Sequence, residues 1–411
     1  NSSGLRATDE AESRRNWRTH GVELGKWDPL DPKYDRDFAS EIQEAVDGIA
    51  QTEDTEAGMR VELLLSELLP PSHGAAAGDA DPSDDGQQAA GIHDQLADDD
   101  TAPPGLETNT AAERLNTRVE VEEIQRASEL TPNYKAAGQD GVKGEFIRYL
   151  GDTGFEVLAD FFNLIYSHQI TPSAWRKDVA WPIHKAGSKR DPSNYRLITL
   201  MSVLCKVFER VMHARLVRWC GDQDHSPIDR NQVGFQASLC TLDHIYTLTE
   251  TIRLRARAKQ PTYVCFVDAR KAFPSVFKAG LLYKLHQIGI RGRYWRMIKS
   301  MYQHITTRIL TGKADSELDP EEIEALYYDV NTGVREGSTL SPLLYILFID
   351  GLLDELRKRK LGVLIRNKST ALKTWVGGLM YADDLALVAK GPGELQLMMD
   401  VVTEYAKKWR F

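Results

Sequence analysis

Two short apolar runs near the carboxyl end, residues 375–380 and 385–389, are separated only by Tyr381, Ala382, Asp383 and Asp384. Runs of this length joined by so few residues predict an antiparallel hairpin. Its tip carries two adjacent carboxylates. Asp is disfavoured in strands and neighbouring carboxylates repel, so the tip is a poor solubility device and a good cation site. Adjacent side chains diverge, so only one aspartate can point fully at a shared metal, and a second ligand must come from elsewhere. Asp268 is the candidate. It ends the β-branched and aromatic run TYVCFV at 262–267, which predicts a buried strand. Period-two alternation puts Phe266 and Asp268 on one face. Hard Mg²⁺ takes a few carboxylate oxygens and leaves the rest of its shell to water and substrate phosphates. Two such ions about 4 Å apart can activate an attacking hydroxyl and stabilise a leaving oxygen. A lone Asp at a strand end also serves as a turn or cap residue, and Asp-Asp in a hairpin is ordinary turn chemistry. The case rests on the combination.

The net charge of −9 conceals a division. Residues 1–112 hold 8 Lys and Arg against 25 Asp and Glu, whereas residues 113–411 hold 43 against 35. An acidic segment thus precedes a basic body, an asymmetry that suits nucleic-acid binding by the body. The four cysteines, at 205, 220, 240 and 265, form no CxxC pair for zinc and no disulfide scaffold; reduced thiols are expected. The longest apolar run, 343–349, falls far short of the roughly 20 residues of a membrane span, and no signal segment opens the chain. The first residue is not Met, so a fragment of a longer protein is expected.

Residues 1–69 have scattered apolar positions and one helix-like stretch at 59–69, MRVELLLSELL. Residues 70–112 are rich in Ala, Gly, Asp, Pro and Gln and cannot bury enough apolar surface to offset their ordering entropy; a disordered, solvated linker is expected. From Glu113 the pattern alternates between helix and strand. Helical spacing appears at Leu158, Phe161, Phe162 and Ile165, at Leu204, Val207, Phe208 and Val211, and over 242–254, 280–288 and 294–302. Residues 305–310 and 326–330 predict paired strands joined by an acidic loop. A helix over 340–356 starts with the capping hydroxyls and early proline of Ser338–Pro342, and a last helix covers 394–409.

Six blocks in this order carry a family resemblance: AAGQDGV at 136–142, WPIHKAGSKRDPSNYRLITL at 181–200, NQVGFQASLCTLDHI at 231–245, FVDARKAFPSV at 266–276, GVREGSTLSPLLYILFIDGL at 333–352, and YADD at 381–384. Together they resemble the reverse transcriptases of non-LTR (LINE-type) retrotransposons, over roughly residues 136–411. The resemblance implies an α+β right-hand polymerase fold with a disordered acidic segment at 1–112, a largely helical fingers subdomain at 113–260, and a palm at 261–411 whose antiparallel sheet is backed by helices. It implies an RNA-directed DNA polymerase in which a primer 3′-OH attacks the α-phosphate of a dNTP on an RNA template, with two Mg²⁺ ions (Mn²⁺ substituting). Asp268 and Asp383 would hold the ions, Asp384 would support the site, and the Ala269 carbonyl would complete one shell. Phe273 would sit beneath the sugar and exclude a ribose 2′-OH; a core phenylalanine is the other reading. Lys185 and Arg196 would grip the triphosphate, where cations suit the charge of phosphoryl transfer. Glu336 and Gly337 would lie at the incoming nucleotide. Gly333, Ser338, Pro342 and Tyr381 would line the template and primer, with glycine allowing close approach.

The sequence departs from the family pattern at four places. Pro274 replaces the second Asp of the "D..KAFD.V" block and removes a backbone donor. Leu197 replaces the Pro of "NYRPI", and KAAG stands for KAPG. Glu336 replaces a Gln that contacts the nucleotide, and its carboxylate repels a triphosphate unless Arg335 or a metal compensates. No "N..KT" block follows YADD, no endonuclease pattern precedes Glu113, and no CCHC knuckle occurs, so linker, fingers and most of the palm, with the thumb missing, are expected from a longer polyprotein. The expected partners are the element's own RNA as template, a DNA primer and dNTPs, with no membrane, in a ribonucleoprotein of nucleus and cytoplasm. Two rivals stand beside this reading. One is an RNA-dependent RNA polymerase, opposed by Phe273 and the NYR and GF blocks. The other is a catalytically decayed or domesticated RNA-binding descendant, favoured by Pro274 and Glu336 and opposed by the intact aspartates.

Overall fold

The computed structural model describes residues 110–221, 226–310, 320–366 and 373–411. The helix-like stretch at 59–69 lies outside the described residues, as does the linker expected over 70–112 except for its last three residues, which open a helix instead. The architecture is mixed, with helices and three sheets. Helices α1 (Thr110–Leu115), α2 (Val121–Glu129), α3 (Gly144–Arg148) and α4 (Gly151–His168) come first. Strands β1 (Lys177–His184) and β2 (Tyr195–Leu200) follow as an antiparallel pair. The α4 spacing buries Leu158, Phe161, Phe162 and Ile165. Phe161 and Phe162 meet Trp175 edge-on, and Phe162 also meets Phe208 of α5 (Val203–Cys220), with centroids 5.1 to 6.1 Å apart. The NYR block precedes the helix start, where the Ser202 hydroxyl caps α5 by accepting from the Cys205 N–H. The buried Arg215 of α5 ties the amino-terminal helices down through Glu123 of α2.

Helix α6 (Thr241–Arg257) leads to β3 (Tyr263–Val267), the one-turn helix α7 (Ala272–Ser275), α8 (Lys278–Gln287) and α9 (Gly292–Tyr302). Strand β4 (Thr306–Ile309) then pairs parallel with β1 and antiparallel with β5 (Tyr328–Asp329), after α10 (Pro320–Ala325). The first sheet, in order β2-β1-β4-β5, therefore draws strands from both sides of residue 260.

The expected helix over 340–356 is two helices, α11 (Ser341–Ile349) and α12 (Gly351–Lys358). The break falls at Asp350, whose carboxylate accepts from the Asp229 N–H at 3.0 and 3.1 Å. Residues 375–380 likewise do not form one strand. Strand β6 (Val363–Arg366) pairs with β7 (Lys373–Val376), and at Gly377 the chain bends into β8 (Gly378–Tyr381) of a different sheet. A Cβ at Gly377 would stand 2.3 Å from the Trp375 ring, so only glycine fits this bend. Strands β3, β9 (Asp384–Ala389) and β8 form an antiparallel sheet in the order β3-β9-β8. Helix α13 (Pro392–Trp409) packs against β9 and β3 and buries Met398, Val401 and Tyr405, the last turning to α11, where its hydroxyl meets the Phe348 and Ile349 carbonyls. Among the described residues no helix is long and apolar enough to cross a membrane.

Candidate active site

The hairpin is as tight as the sequence requires. Tyr381 pairs with Asp384, leaving Ala382 and Asp383 as a two-residue loop. Val267 pairs with Leu385, so the register carries Asp268 to a position beside Asp384 on the neighbouring strand. Three carboxylates from two distant segments thus meet at one sheet end. Asp268 and Asp384 are exposed and Asp383 is half-buried. Partial burial pushes the Asp383 carboxyl above its ordinary range, and the charges of Asp384 and Asp268 push it further; Arg196 pulls it back. Among the described residues no group of three or more His, Cys, Asp or Glu side chains is arranged to hold a metal ion by itself. Mutually repelling oxygen donors do fit a hard divalent cation whose remaining ligands are water and phosphate oxygens.

The charge of Arg196 on β2 of the first sheet acts on this group at Asp383. It and Lys185, just beyond β1, also act on Glu336. Partial burial pushes the Glu336 carboxyl up, and Arg196 and Lys185 pull it down. The Glu336 carbonyl accepts from the Thr199 N–H of β2 at 2.9 Å, which docks this loop on the β1–β2 hairpin. Gly337 backs onto the same strand, with φ of +119° and the Thr199 carbonyl 2.6 Å from where a Cβ would be. The structure therefore gives Glu336 its compensating cations from the β1–β2 hairpin and not from Arg335.

Arg335 points the other way. It is buried, its guanidinium donates to the carbonyls of Trp175 and Met301 at 3.0 and 2.8 Å, and its Nε lies 3.4 Å from Asp178. Buried Glu209 stands nearby and accepts from the Thr339 N–H at 2.9 Å. Burial pushes the Asp178 and Glu209 carboxyls up, and Arg335 opposes it at both.

Phe273 is half-buried between two rings. It stacks on Tyr345 with centroids 5.3 Å apart and planes 9° apart, and Phe235 meets it edge-on at 6.2 Å. The motif reading gave neither Phe235 nor Tyr345 a role, because ring contacts between distant segments leave no trace in spacing. The Tyr345 hydroxyl is buried and has no hydrogen-bond partner among the described residues. Pro274 does not disrupt the loop: it sits inside α7, and Val334 N–H still donates to the Phe273 carbonyl at 2.9 Å. Gly333, at φ of +90°, is buried against Pro274, where a Cβ would be 2.7 Å from the Pro274 Cα. Ser338 is also buried, and its hydroxyl accepts from the Leu340 and Ser341 N–H groups at 3.1 Å to start α11. Pro342 and Tyr381 are half-buried, as is Ala269 next to Asp268. The structure thus brings Asp268, Asp383 and Asp384 together by register, and Arg196, which acts on Asp383, also acts with Lys185 on Glu336, while Gly333 and Ser338 are buried in the loop that carries Glu336.

Residues 183–411 match the family model described as reverse transcriptase (RNA-dependent DNA polymerase). The chain belongs to this family. It is 31% identical over 217 residues to the probable RNA-directed DNA polymerase from transposon X-element of Drosophila melanogaster, covering 53% of this chain and 23% of that protein. It is 26% identical over 298 residues to the RNA-directed DNA polymerase from mobile element jockey of the same species, covering 71% of this chain and 30% of the relative. With the Pol polyprotein of the R2 retrotransposable element of Nasonia vitripennis it shares 25% identity over 261 residues, 64% of this chain and 23% of the other. The chain thus spans less than a third of the length of these relatives.

Proposed function

We propose that the chain is the catalytic portion of an RNA-directed DNA polymerase of a non-LTR retrotransposon, joining a dNTP to a primer 3′-OH on an RNA template. The observation that carries this reading is the meeting of Asp268, Asp383 and Asp384 at the end of the β3-β9-β8 sheet, within the field of Arg196 of β2. In this reading the β1–β2 hairpin is the fingers and the β3-β9-β8 sheet with α13 is the palm.

Asp268 and Asp383 would hold Mg²⁺, with the Ala269 carbonyl as a further oxygen donor. Held by these residues, the metal would supply a lowered pKa for the attacking hydroxyl and a counter-charge for the leaving oxygen. Arg196 and Lys185 bind the triphosphate oxygens and orient the α-phosphate. Phe273, held flat by Tyr345, supports the sugar and leaves no room for a 2′-OH. Gly337 lies at the incoming nucleotide beside Glu336, and Pro342 and Tyr381 face the template and primer. The salt dependence of such binding follows from the basic body.

Primer extension on poly(rA)/oligo(dT) tests the reading. Extension that requires Mg²⁺ or Mn²⁺, prefers dTTP, and shifts toward UTP in Phe273→Val is the expected result. A chain that binds the hybrid with no extension under any metal would overturn it. That outcome would favour a decayed RNA-binding descendant, a reading supported by one observation: Glu336 already occupies the field of Lys185 and Arg196.

A further inference from the structure

Gln232 is fully buried against the hairpin tip. Its side-chain oxygen accepts from the N–H of Ala382 at 2.9 Å and from that of Gly234 at 3.0 Å, and its side-chain nitrogen donates to the Ala382 carbonyl at 3.3 Å. A primary amide carries donor and acceptor on one plane, so it grips both backbone groups of one residue. That residue is the strained one. Ala382 has φ of +57°, a left-handed conformation that costs a non-glycine residue about 1–3 kcal/mol and persists only where its surroundings over-determine it.

The backbone around Gln232 adds a second hold. Asn231 accepts from the Met380 N–H at 2.8 Å, Val233 donates to the Met380 carbonyl at 2.9 Å, and Gln232 bridges Met380 in parallel. Gly234 lies so close that a Cβ there would stand 2.3 Å from the Ala382 nitrogen. The His244 ring nitrogen also meets the Met380 carbonyl, at 3.0 Å. Residues 231–234 are thus a splint along the strand that delivers Asp383, and only Gln232 reaches the loop with its side chain.

We infer that Gln232 is a positioning residue for Asp383: its amide fixes the peptide planes before Asp383 and so sets where that carboxylate points. The inference rests on Asp383 being a cation ligand. Groups that orient metal ligands typically change metal affinity by about 10–100-fold when removed.

The test is Mn²⁺ binding to the whole 411-residue chain, followed by electron paramagnetic resonance, together with single-nucleotide extension over a range of Mg²⁺ concentrations. Gln232→Met keeps the volume and removes the side chain's three hydrogen bonds to Ala382 and Gly234. It should weaken Mn²⁺ binding by roughly 10-fold or more and raise the Mg²⁺ midpoint in parallel, with the KM for dNTP at saturating Mg²⁺ little changed. Ala382→Gly separates positioning from stability, because glycine adopts positive φ freely. In the double variant Gln232→Met/Ala382→Gly the melting temperature should recover and the Mn²⁺ affinity should not. The double variant also carries the measurement if Gln232→Met alone fails to fold. Recovery of Mn²⁺ affinity with Ala382→Gly would reduce Gln232 to a support for strain and overturn the inference, as would parental binding in Gln232→Met. Asp383→Asn is the control: parental Mn²⁺ binding in that variant would sink the ligand assignment itself, a different failure.

Discussion

The molecule has two groups of acidic side chains within reach of the same loop, and they are solved in opposite ways. Asp178 and Glu209 are sealed in the interior with Arg335 between the β1 region and α5; the ion pair's side chains are 2% and 4% exposed. Asp268, Asp383 and Asp384 crowd together at an open sheet end, where Arg196 is the cation that acts on Asp383. Taking charges out of water costs several kcal/mol per ion unless a partner is present, so the sealed group carries its own counter-charge. The open group leaves its charge unmatched, which is what a cation site requires. An acid matched within the fold holds structure, and an acid left unmatched is available to something that arrives.

That contrast can be broken experimentally, the largest effect first. Asp383→Asn should lower metal-dependent extension by several orders of magnitude. The melting temperature should stay level or rise, because the lost charge was repelled by Asp384 and Asp268. Single-turnover extension and calorimetry check the two halves; a large fall in melting temperature would place Asp383 in the structural class.

Arg335→Met should do the reverse. It strands Asp178 and Glu209 in the interior and should cost about 3–5 kcal/mol of stability in urea unfolding. Adding Asp178→Leu should recover much of that loss, since a buried pair replaced as a unit is often neutral.

Asp350 lies between the two classes. It is buried, accepts from the Asp229 N–H, and is pushed up to about 7 mainly by burial. A raised carboxyl contributes fully below its ordinary range near 4, and that contribution is lost as pH rises through about 7. The wild-type chain should therefore lose on the order of 2 kcal/mol between pH 5 and pH 8 that Asp350→Asn does not lose. Parallel stability curves for the two proteins would remove Asp350 from this account.

The smallest effect concerns Glu336. Releasing Lys185 and Arg196 from its field with Glu336→Gln should lower the KM for dNTP about 5-fold, the equivalent of about 1 kcal/mol between nearby charges near water. An unchanged KM would mean that the two cations do not meet the triphosphate.

Much of this was legible in the sequence. The hairpin, the strand leading to Asp268 and most helices follow from local periodicity, which is fixed by neighbours in the chain; the burial expected of that strand does not, since β3 buries none of its residues and Phe266 is 75% exposed. What escaped was set by distant partners. Arg335 looked like compensation for Glu336 because the two are adjacent, but Asp178 and the carbonyls of Trp175 and Met301 turn it inward. The helix expected through 340–356 is interrupted at Asp350, whose backbone stays helical while its carboxylate accepts from the Asp229 N–H. The strand expected through 375–380 bends because Gly377 admits the Trp375 ring. The cluster of Tyr345, Phe273 and Phe235 joins three segments that no single window contains.

The parallel pairing of Lys177–Ala180 with Thr306–Ile309 bears on how the chain comes to be folded. Those strands meet only after everything between them has been synthesised and brought back. The entropy of closing that loop is met before the contact returns anything. A nascent chain that has reached β3 holds β1 with an open edge and a row of unpaired backbone groups, the kind of edge that invites the wrong partner. Such a topology predicts slow refolding from denaturant and a benefit from chaperones during synthesis. It also predicts that fragments cut at residue 260 will fold far better when produced together than apart.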